Sequence, residues 1–365
     1  MQNDILNHEF PPNLDAIWEK EFALQLAAAQ GAISGLSQAV PLLHNPDLLM
    51  QPLLDKEAES SSRLEGTLAS VEDVYKAELK SAQAEDSDDV RETKNYRLAL
   101  TQGVHLIKTR PLNQVAVRQI HATLLNGVRG EKKHPGKYRT GDVWIGVAGT
   151  GVGDARYVPP SAIHIPQLMD SLEELINSSG IHPLITCGII HHRFEGVHPF
   201  EDGNGRTGRL LITLYLLKTG MLAAPMLYPS GFFEKNKRDY MNALHSVDIS
   251  QDWSGWLLFF LKGIETQALV SLKVARDIDA LYKSHREKLQ NATSHIGLLR
   301  VLEFCFVQPI VNVKYVSEKL SMNPQTVRRY LVQLDEAGIL DLDHVLDRGE
   351  KIYSNTKLLE LLRQI

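Results

Sequence analysis

Residues 198 to 209 read His198-Pro199-Phe200-Glu201-Asp202-Gly203-Asn204-Gly205-Arg206-Thr207-Gly208-Arg209, and an apolar run, Leu210 to Leu217, follows at once. Two glycines flank an asparagine just where a helix is set to begin, near Arg206. Glycine lets the backbone take positive φ and come close to a ligand. The free N–H groups and positive dipole end of the helix behind it favour an anion. Arg206 and Arg209 lie three apart, on one face of the first turn. Cations there oppose the dipole, a conflict that a di- or triphosphate resolves. Asp202 adds a hard oxygen ligand beside such phosphates, and Mg²⁺ needs only one or two carboxylates when phosphate oxygens complete its shell. His198, four residues before Asp202, can reach the α-phosphate region and accept a proton there.

These twelve residues resemble the Fic family signature, His-x-Phe-x-(Asp/Glu)-Gly-Asn-Gly-Arg-x-x-Arg, at every specified position. The resemblance implies a mainly α fold: a Fic-type helical core over residues 111–285 with a small β-hairpin flap. It implies that His198 is the base, that Phe200 packs inward to fix the loop, and that Asp202 binds Mg²⁺. Gly203, Asn204 and Gly205 would form an anion hole, Arg206 and Arg209 would hold the outer phosphates, and Thr207 is counted with the nucleotide-binding set. The activity so implied is transfer of AMP from Mg-ATP to a Ser, Thr or Tyr hydroxyl of a protein, the chain itself included, with release of pyrophosphate. Family members that act as kinases carry lysine where this chain keeps Gly205, which favours AMP transfer over phosphate transfer.

Three further stretches fit that resemblance. A glycine-rich, β-prone segment spans residues 136–160, with Val143-Trp144-Ile145-Gly146 and Arg156-Tyr157-Val158 as two short strands. In the family such a hairpin aligns the target by strand pairing, which makes Val143 to Gly146 the docking edge. Tyr240 resembles the tyrosine that lines the adenine pocket, although a tyrosine at helical spacing also suits a core. Residues 61–66, Ser61-Ser62-Arg63-Leu64-Glu65-Gly66, match the family's inhibitory pattern at Ser61, Glu65 and Gly66. Four residues apart, Ser61 and Glu65 share one helical face, and a glutamate presented to Arg209 would take the γ-phosphate's place. The inhibitory helix is expected at about 57–67, within an N-terminal helical region of residues 1–110.

Elsewhere helical periodicity predicts Asn13 to Ala29, Ile33 to Leu43 and Glu57 to Gly66, with residues 82–89 as a surface loop. Downstream it predicts residues 112–126, Ile165 to Ser178, Pro183 to Phe194, Arg206 to Lys218, Lys235 to Leu244 and Gln251 to Ser284. Residues 290–365 read as a separate winged helix-turn-helix unit. Ile296 to Cys305, Val313 to Leu320 and Asn323 to Gly338 are its helices, Ser321 to Pro324 its turn, and Asp343 to Tyr353 its wing. From His295 to Ile365 there are nine Lys/Arg and nine Asp/Glu. DNA binding usually needs a basic surface, so a protein-contact or dimerising role fits this unit better, with Arg328 and Arg329 as its one cationic cluster.

The whole chain carries a net charge of −5 over 365 residues, with 43% hydrophobic and 23% charged residues, the balance of a soluble globular protein. The longest apolar runs, Leu210 to Leu217 and Trp256 to Leu261, are too short to span a bilayer, the start lacks a signal-peptide pattern, and a cytoplasmic location without membrane contact is expected. Cys187 and Cys305 sit in apolar runs, as buried reduced thiols would. His191, His192 and His198 do not form a zinc motif, and there is no GxxxxGK(S/T) loop. Two other functions use the same residues: a DNA-binding regulator with the core as nucleotide sensor, and removal of AMP with Glu65 positioning water.

Overall fold

The computed structural model describes residues 5–6, 8–79, 85–146, 155–178, 180–290, 296–345 and 350–364. Helices dominate. The central one is α7 (Pro183–Val197), opened by Pro183 at its first turn and by the His182 ring, which accepts from the Leu184 N–H. All its residues but Pro183 and Glu195 are buried, as in a helix surrounded by others. The helices α6 (Ile165–Ser178), α8 (Asn204–Lys218) and α11 (Trp253–Gln290) pack around it. Gly188 sits where α7 and α11 press together: a β-carbon there would lie 2.7 Å from Leu257 Cδ2. At the same contact the buried Trp256 indole donates to the Gly188 carbonyl at 3.0 Å. This packing holds α7, which carries His198 at its C-terminal end, against α11.

The N-terminal half departs from the periodicity reading. The expected helix Asn13 to Ala29 is a short 3-10 turn, Asp15–Ile17, a break at Trp18, and then α1 (Lys20–Ala39). That helix runs straight through Gly31 and Gly35 and absorbs much of the expected second helix, Ile33 to Leu43. Packing along the length of α11 outweighs the helix cost of two glycines, about 1 kcal/mol each. Asn45-Pro46 starts a helix instead of only ending one. Proline suits the first helical position, and α2 (Pro46–Leu64) reaches from there past Pro52, so the expected helix Glu57 to Gly66 is its second half. It stops at Glu65, and Gly66 takes φ +95 as a left-handed terminator.

Then follow α3 (Val71–Glu78), opened by a Ser70/Asp73 capping box, α4 (Asp88–Thr109) and α5 (Gln114–Leu124). Of the expected loop 82–89, Asp88 and Asp89 already belong to α4, and residues 82–84 lie outside the described residues. Beyond α8 come α9 (Ser230–Lys235) and α10 (Lys237–Ser250).

The two short strands expected at 143–158 reduce to a single antiparallel bridge, Ile145 with Tyr157. The glycine-rich tip, 147–154, lies outside the described residues.

The C-terminal elements are α12 (Ile296–Val307), β1 (Ile310–Asn312), α13 (Val313–Leu320), α14 (Pro324–Glu336), β2 (Asp341–Val345), β3 (Lys351–Ser354) and α15 (Thr356–Leu362). The strands form an antiparallel sheet in the order β1-β3-β2. The turn between α13 and α14 falls on Ser321, at φ 52, and on Asn323, whose side chain accepts from Gln325 N. Of the expected wing, residues 346–349 lie outside the described residues. This unit rests on α2 and α3: Arg363 pairs with Glu72, and Tyr315 donates to Glu78 at 2.7 Å. One contiguous set of buried apolar side chains runs from Leu14 to Leu362. No helix of the described residues is long and apolar enough to cross a membrane.

Candidate active site

The signature loop joins α7 to α8. His198 ends α7 in the left-handed region, φ 49 and ψ 58, which turns its side chain back toward the helix. Its Nδ1 lies 3.3 Å from the Glu195 carbonyl. A carbonyl only accepts, so Nδ1 carries the proton and Nε2 is left with its lone pair. Burial pushes His198 down to about 4, so the ring is neutral at physiological pH.

Asn204 and Phe200 close the loop on itself: Phe200 N donates to Asn204 Oδ1 at 2.9 Å, and Asn204 Nδ2 donates to Phe200 O at 2.8 Å. Phe200 is fully buried and stacks on His121 at 3.6 Å between ring centres. His121 accepts from Gly136 N at 2.8 Å, and its other nitrogen donates to Asp202 O at 2.8 Å. Burial holds this ring at about 4, in the one neutral tautomer that makes both bonds. Gly203, at φ 76, is the N-cap, and α8 starts at Asn204, two residues before the expected Arg206. The Asn204 side chain is therefore spent on holding the loop, as is Thr207, whose hydroxyl donates to Gly203 O at 2.8 Å.

The two arginines part company. Arg209, 2% exposed, reaches a cavity of about 470 Å³ lined also by His198, Gly205, Glu65 and Tyr240. Its Nε and Nη2 donate to Ser61 Oγ and Ser61 O, each at 2.9 Å, and Nη2 also donates to Glu65 Oε1 at 2.7 Å. Burial raises the Glu65 carboxyl, but the charge and hydrogen bond of Arg209 outweigh it and hold Glu65 below its ordinary value. A β-carbon on Gly205 would fall 2.2 Å from Glu65 Oε1, so the glutamate lies directly over that glycine.

Arg206 does not line the cavity. Fully buried, it donates to Glu92 Oε2 of α4 at 3.2 Å and lies 3.7 Å from Asp202 Oδ1. Of the two guanidinium groups expected to hold outer phosphates, only Arg209 lines the cavity; at Arg206 the helix-dipole conflict is met by a protein carboxylate.

Asp202 also stands outside the cavity lining, its side chain one-third exposed, and its Oδ1 accepts from Gly203 N at 2.6 Å. Among the described residues no three His, Cys, Asp or Glu side chains gather to hold a metal by themselves. A lone, accessible carboxylate beside an anion loop fits Mg²⁺ only if phosphate oxygens and water complete the shell.

Tyr240 is both core and lining. It is 3% exposed, stacks on Phe233 at 4.6 Å, and bonds His191 Nε2 at 2.7 Å. Ile145 and Gly146 of the expected flap line the cavity, whereas Val143 and Trp144 do not, and Trp144 is 47% exposed.

Several residues that shape the site carry no local sequence signal. Arg139, buried, donates to the carbonyls of His198 at 2.8 Å and Pro160 at 2.6 Å, tying the segment before Pro160 to the His198 turn. Lys237 donates to Leu64 O at 2.7 Å and so caps the end of α2 beside Glu65. Glu92 and His121 were equally silent. None lies in a motif, and only the tertiary fold brings them to the loop.

A helical core with an anion loop at a helix start, an imidazole before it and an arginine behind it matches a known class. Residues 111–216 match the Fic/DOC family, and residues 23–105 match the Fic/DOC family N-terminal region. The chain belongs to the Fic family. It is 29% identical over 140 residues to the protein adenylyltransferase Fic of Aedes aegypti, covering 36% of this chain and 24% of that protein. With the protein adenylyltransferase Fic of Drosophila willistoni it shares 30% over 125 residues, 33% of this chain and 22% of that one. The chain thus spans about a quarter of the length of these relatives. Its fold resembles a Fic family protein from Desulfovibrio desulfuricans, with TM-score 0.60 and 20% identity over 92% of this chain and 96% of that one. It also resembles a Fic domain containing signaling protein from Bacteroides thetaiotaomicron, with TM-score 0.54 and 20% identity over 69% and 97%.

Proposed function

We propose that this chain is a protein adenylyltransferase that moves AMP from Mg-ATP to a Ser, Thr or Tyr hydroxyl of a protein, itself included, and that Glu65 restrains it. The observation that carries the reading is the convergence of His198, Gly205 and Arg209 on one cavity, with Glu65 on the arginine. The relatives named protein adenylyltransferase support the same reaction class.

In this reading the acceptor hydroxyl enters on an extended segment beside Ile145 and Gly146, and His198 Nε2 takes its proton. The hydroxyl oxygen bonds to the α-phosphorus, the bridging bond from that phosphorus to the β-phosphate oxygen breaks, and pyrophosphate leaves with the electron pair. The N–H groups at the start of α8 and the Arg209 guanidinium face the growing negative charge. Asp202 is the residue suited to hold Mg²⁺, which when bound neutralises phosphate charge. Arg139 and His121 keep the loop and the imidazole in place. Glu65, on the cation that the γ-phosphate needs, disfavours productive ATP.

The C-terminal elements are read as a winged-helix module with a contact role. Arg328 and Arg329 on α14 are exposed, but the charge balance of this unit favours protein over DNA. The same reading divides the chain near residues 110 and 290.

The test uses ATP labelled at either end. Label at the α-phosphate should enter protein in the Glu65→Gly variant, with label at the γ-phosphate recovered as pyrophosphate. Entry of γ-label instead would mean kinase chemistry and overturn the assignment.

A further inference from the structure

One face of α7 runs the length of the cavity. His192, Glu195 and His198 line it at intervals of three, and residues three apart share a helix face. At 1.5 Å of rise per residue, Glu195 stands about 4.5 Å along the axis from His192, and His198 follows at the left-handed end of the helix. His198 shares the cavity lining with Gly205 and Arg209. His192, about two helix turns' worth of residues before His198, lies 3.3 Å from Asp248, and both line the cavity with Leu244. A nucleotide whose α-phosphate lies at His198 and whose base lies toward Tyr240 and Leu244 would carry its pentose past Glu195.

The carboxyl is seated for such a contact. Glu195 lines the cavity; its Oε1 is buried against α8 without a hydrogen-bond partner among the described residues, which leaves Oε2 as the oxygen a ligand can reach. A β-carbon on Gly208 would fall 2.4 Å from Oε1, so α8 has a glycine where the acid rests. Burial raises the carboxyl to about 7, against the pull of the Arg209 charge. Either form can bond a hydroxyl: the carboxylate accepts, and the acid both donates and accepts.

We propose that Glu195 is a specificity-determining residue that takes a ribose hydroxyl of the nucleotide, so that the site selects ribonucleotides over deoxyribonucleotides. The proposal rests on the nucleotide-site reading above and adds to it the sugar contact.

The experiment compares ATP, 2′-deoxy-ATP and 3′-deoxy-ATP, for binding and for AMP transfer, in the Glu65→Gly background. Glu195 is kept, or changed to Gln or Ala. With Glu195 kept, ATP should be preferred over at least one deoxy analogue by about tenfold or more, the range of a hydrogen bond to a buried acid. In Glu195→Ala the preference should fall to near unity, chiefly through weaker ATP, while Glu195→Gln keeps part of it because an amide still bonds a hydroxyl. An unchanged ratio in Glu195→Ala, or no preference with Glu195 present, overturns the proposal. Equal loss of all three nucleotides in Glu195→Ala would mark a structural role and overturn it too. If the Glu195-containing protein binds none of the three, the nucleotide-site reading itself fails.

Discussion

Replacing Glu65 by glycine removes one partner from a buried cation and leaves the others. Arg209 keeps both bonds to Ser61, each 2.9 Å long, so the guanidinium stays where it is while the 2.7 Å bond to the carboxylate disappears. A charge-assisted hydrogen bond contributes about 1.5–3 kcal/mol. The Glu65 side chain is 35% exposed, and solvent screening places this contact toward the lower end, about 1.5–2 kcal/mol. At ~1.4 kcal/mol per decade, the freed arginine should favour productive triphosphate by about 10- to 30-fold. Glu65 ends α2 at φ −90 and ψ 2, a conformation any residue adopts, so glycine there loosens one helix end and no more. Glu65→Gln, which keeps the shape and removes the charge, separates these effects and should gain most of the increase. The assay is the initial rate of AMP incorporation with Mg-ATP alongside ATP affinity. Both variants at the wild-type rate, with unchanged affinity, would refute the argument.

The other expectations follow from the loop. His198→Ala in the Glu65→Gly background should lose about 10²–10⁴ in AMP-transfer rate, the usual loss for a general base, while ATP affinity changes little. Because burial holds His198 at about 4 and the base must be deprotonated, its loss of activity should come only as pH falls toward 4. A pH–rate profile of Glu65→Gly turning down near 6.5, the ordinary imidazole value, would contradict the placement of that ring. Arg139→Met should leave the carbonyls of His198 and Pro160 without their buried donor. At about 1–3 kcal/mol for an unsatisfied buried group, unfolding should show a drop of a few kcal/mol in denaturant titration, with kcat falling more than KM rises.

How much of this was legible in the sequence depended on how local the cause was. The signature loop could be read because its parts lie within twelve residues and each has a local physical reason. Glu65 could be read because it shares a helix face with Ser61. Helices α6 and α13 kept their expected bounds because apolar spacing and end signals agree there. In α1 they do not: Gly31 argues for a break, and only packing on α11 removes it. Asn45-Pro46 signals both an end and a start, and which holds depends on what α2 packs against.

The pairing of Arg206 with Glu92 is not legible in the sequence, because the two stand 114 residues apart, on α8 and α4. The same distance hides Arg139 and Lys237, which act on backbone carbonyls and so leave no pattern of paired charges to notice.

The central claim is that this cavity places an α-phosphate between His198 and a protein hydroxyl, and intact-mass measurement of purified Glu65→Gly with Mg-ATP tests it most directly. The expected result is a gain equal to one AMP group per modified site, lost when His198 is also changed to alanine. No gain, a gain equal to a phosphate, or an AMP adduct that persists without His198 would contradict the account.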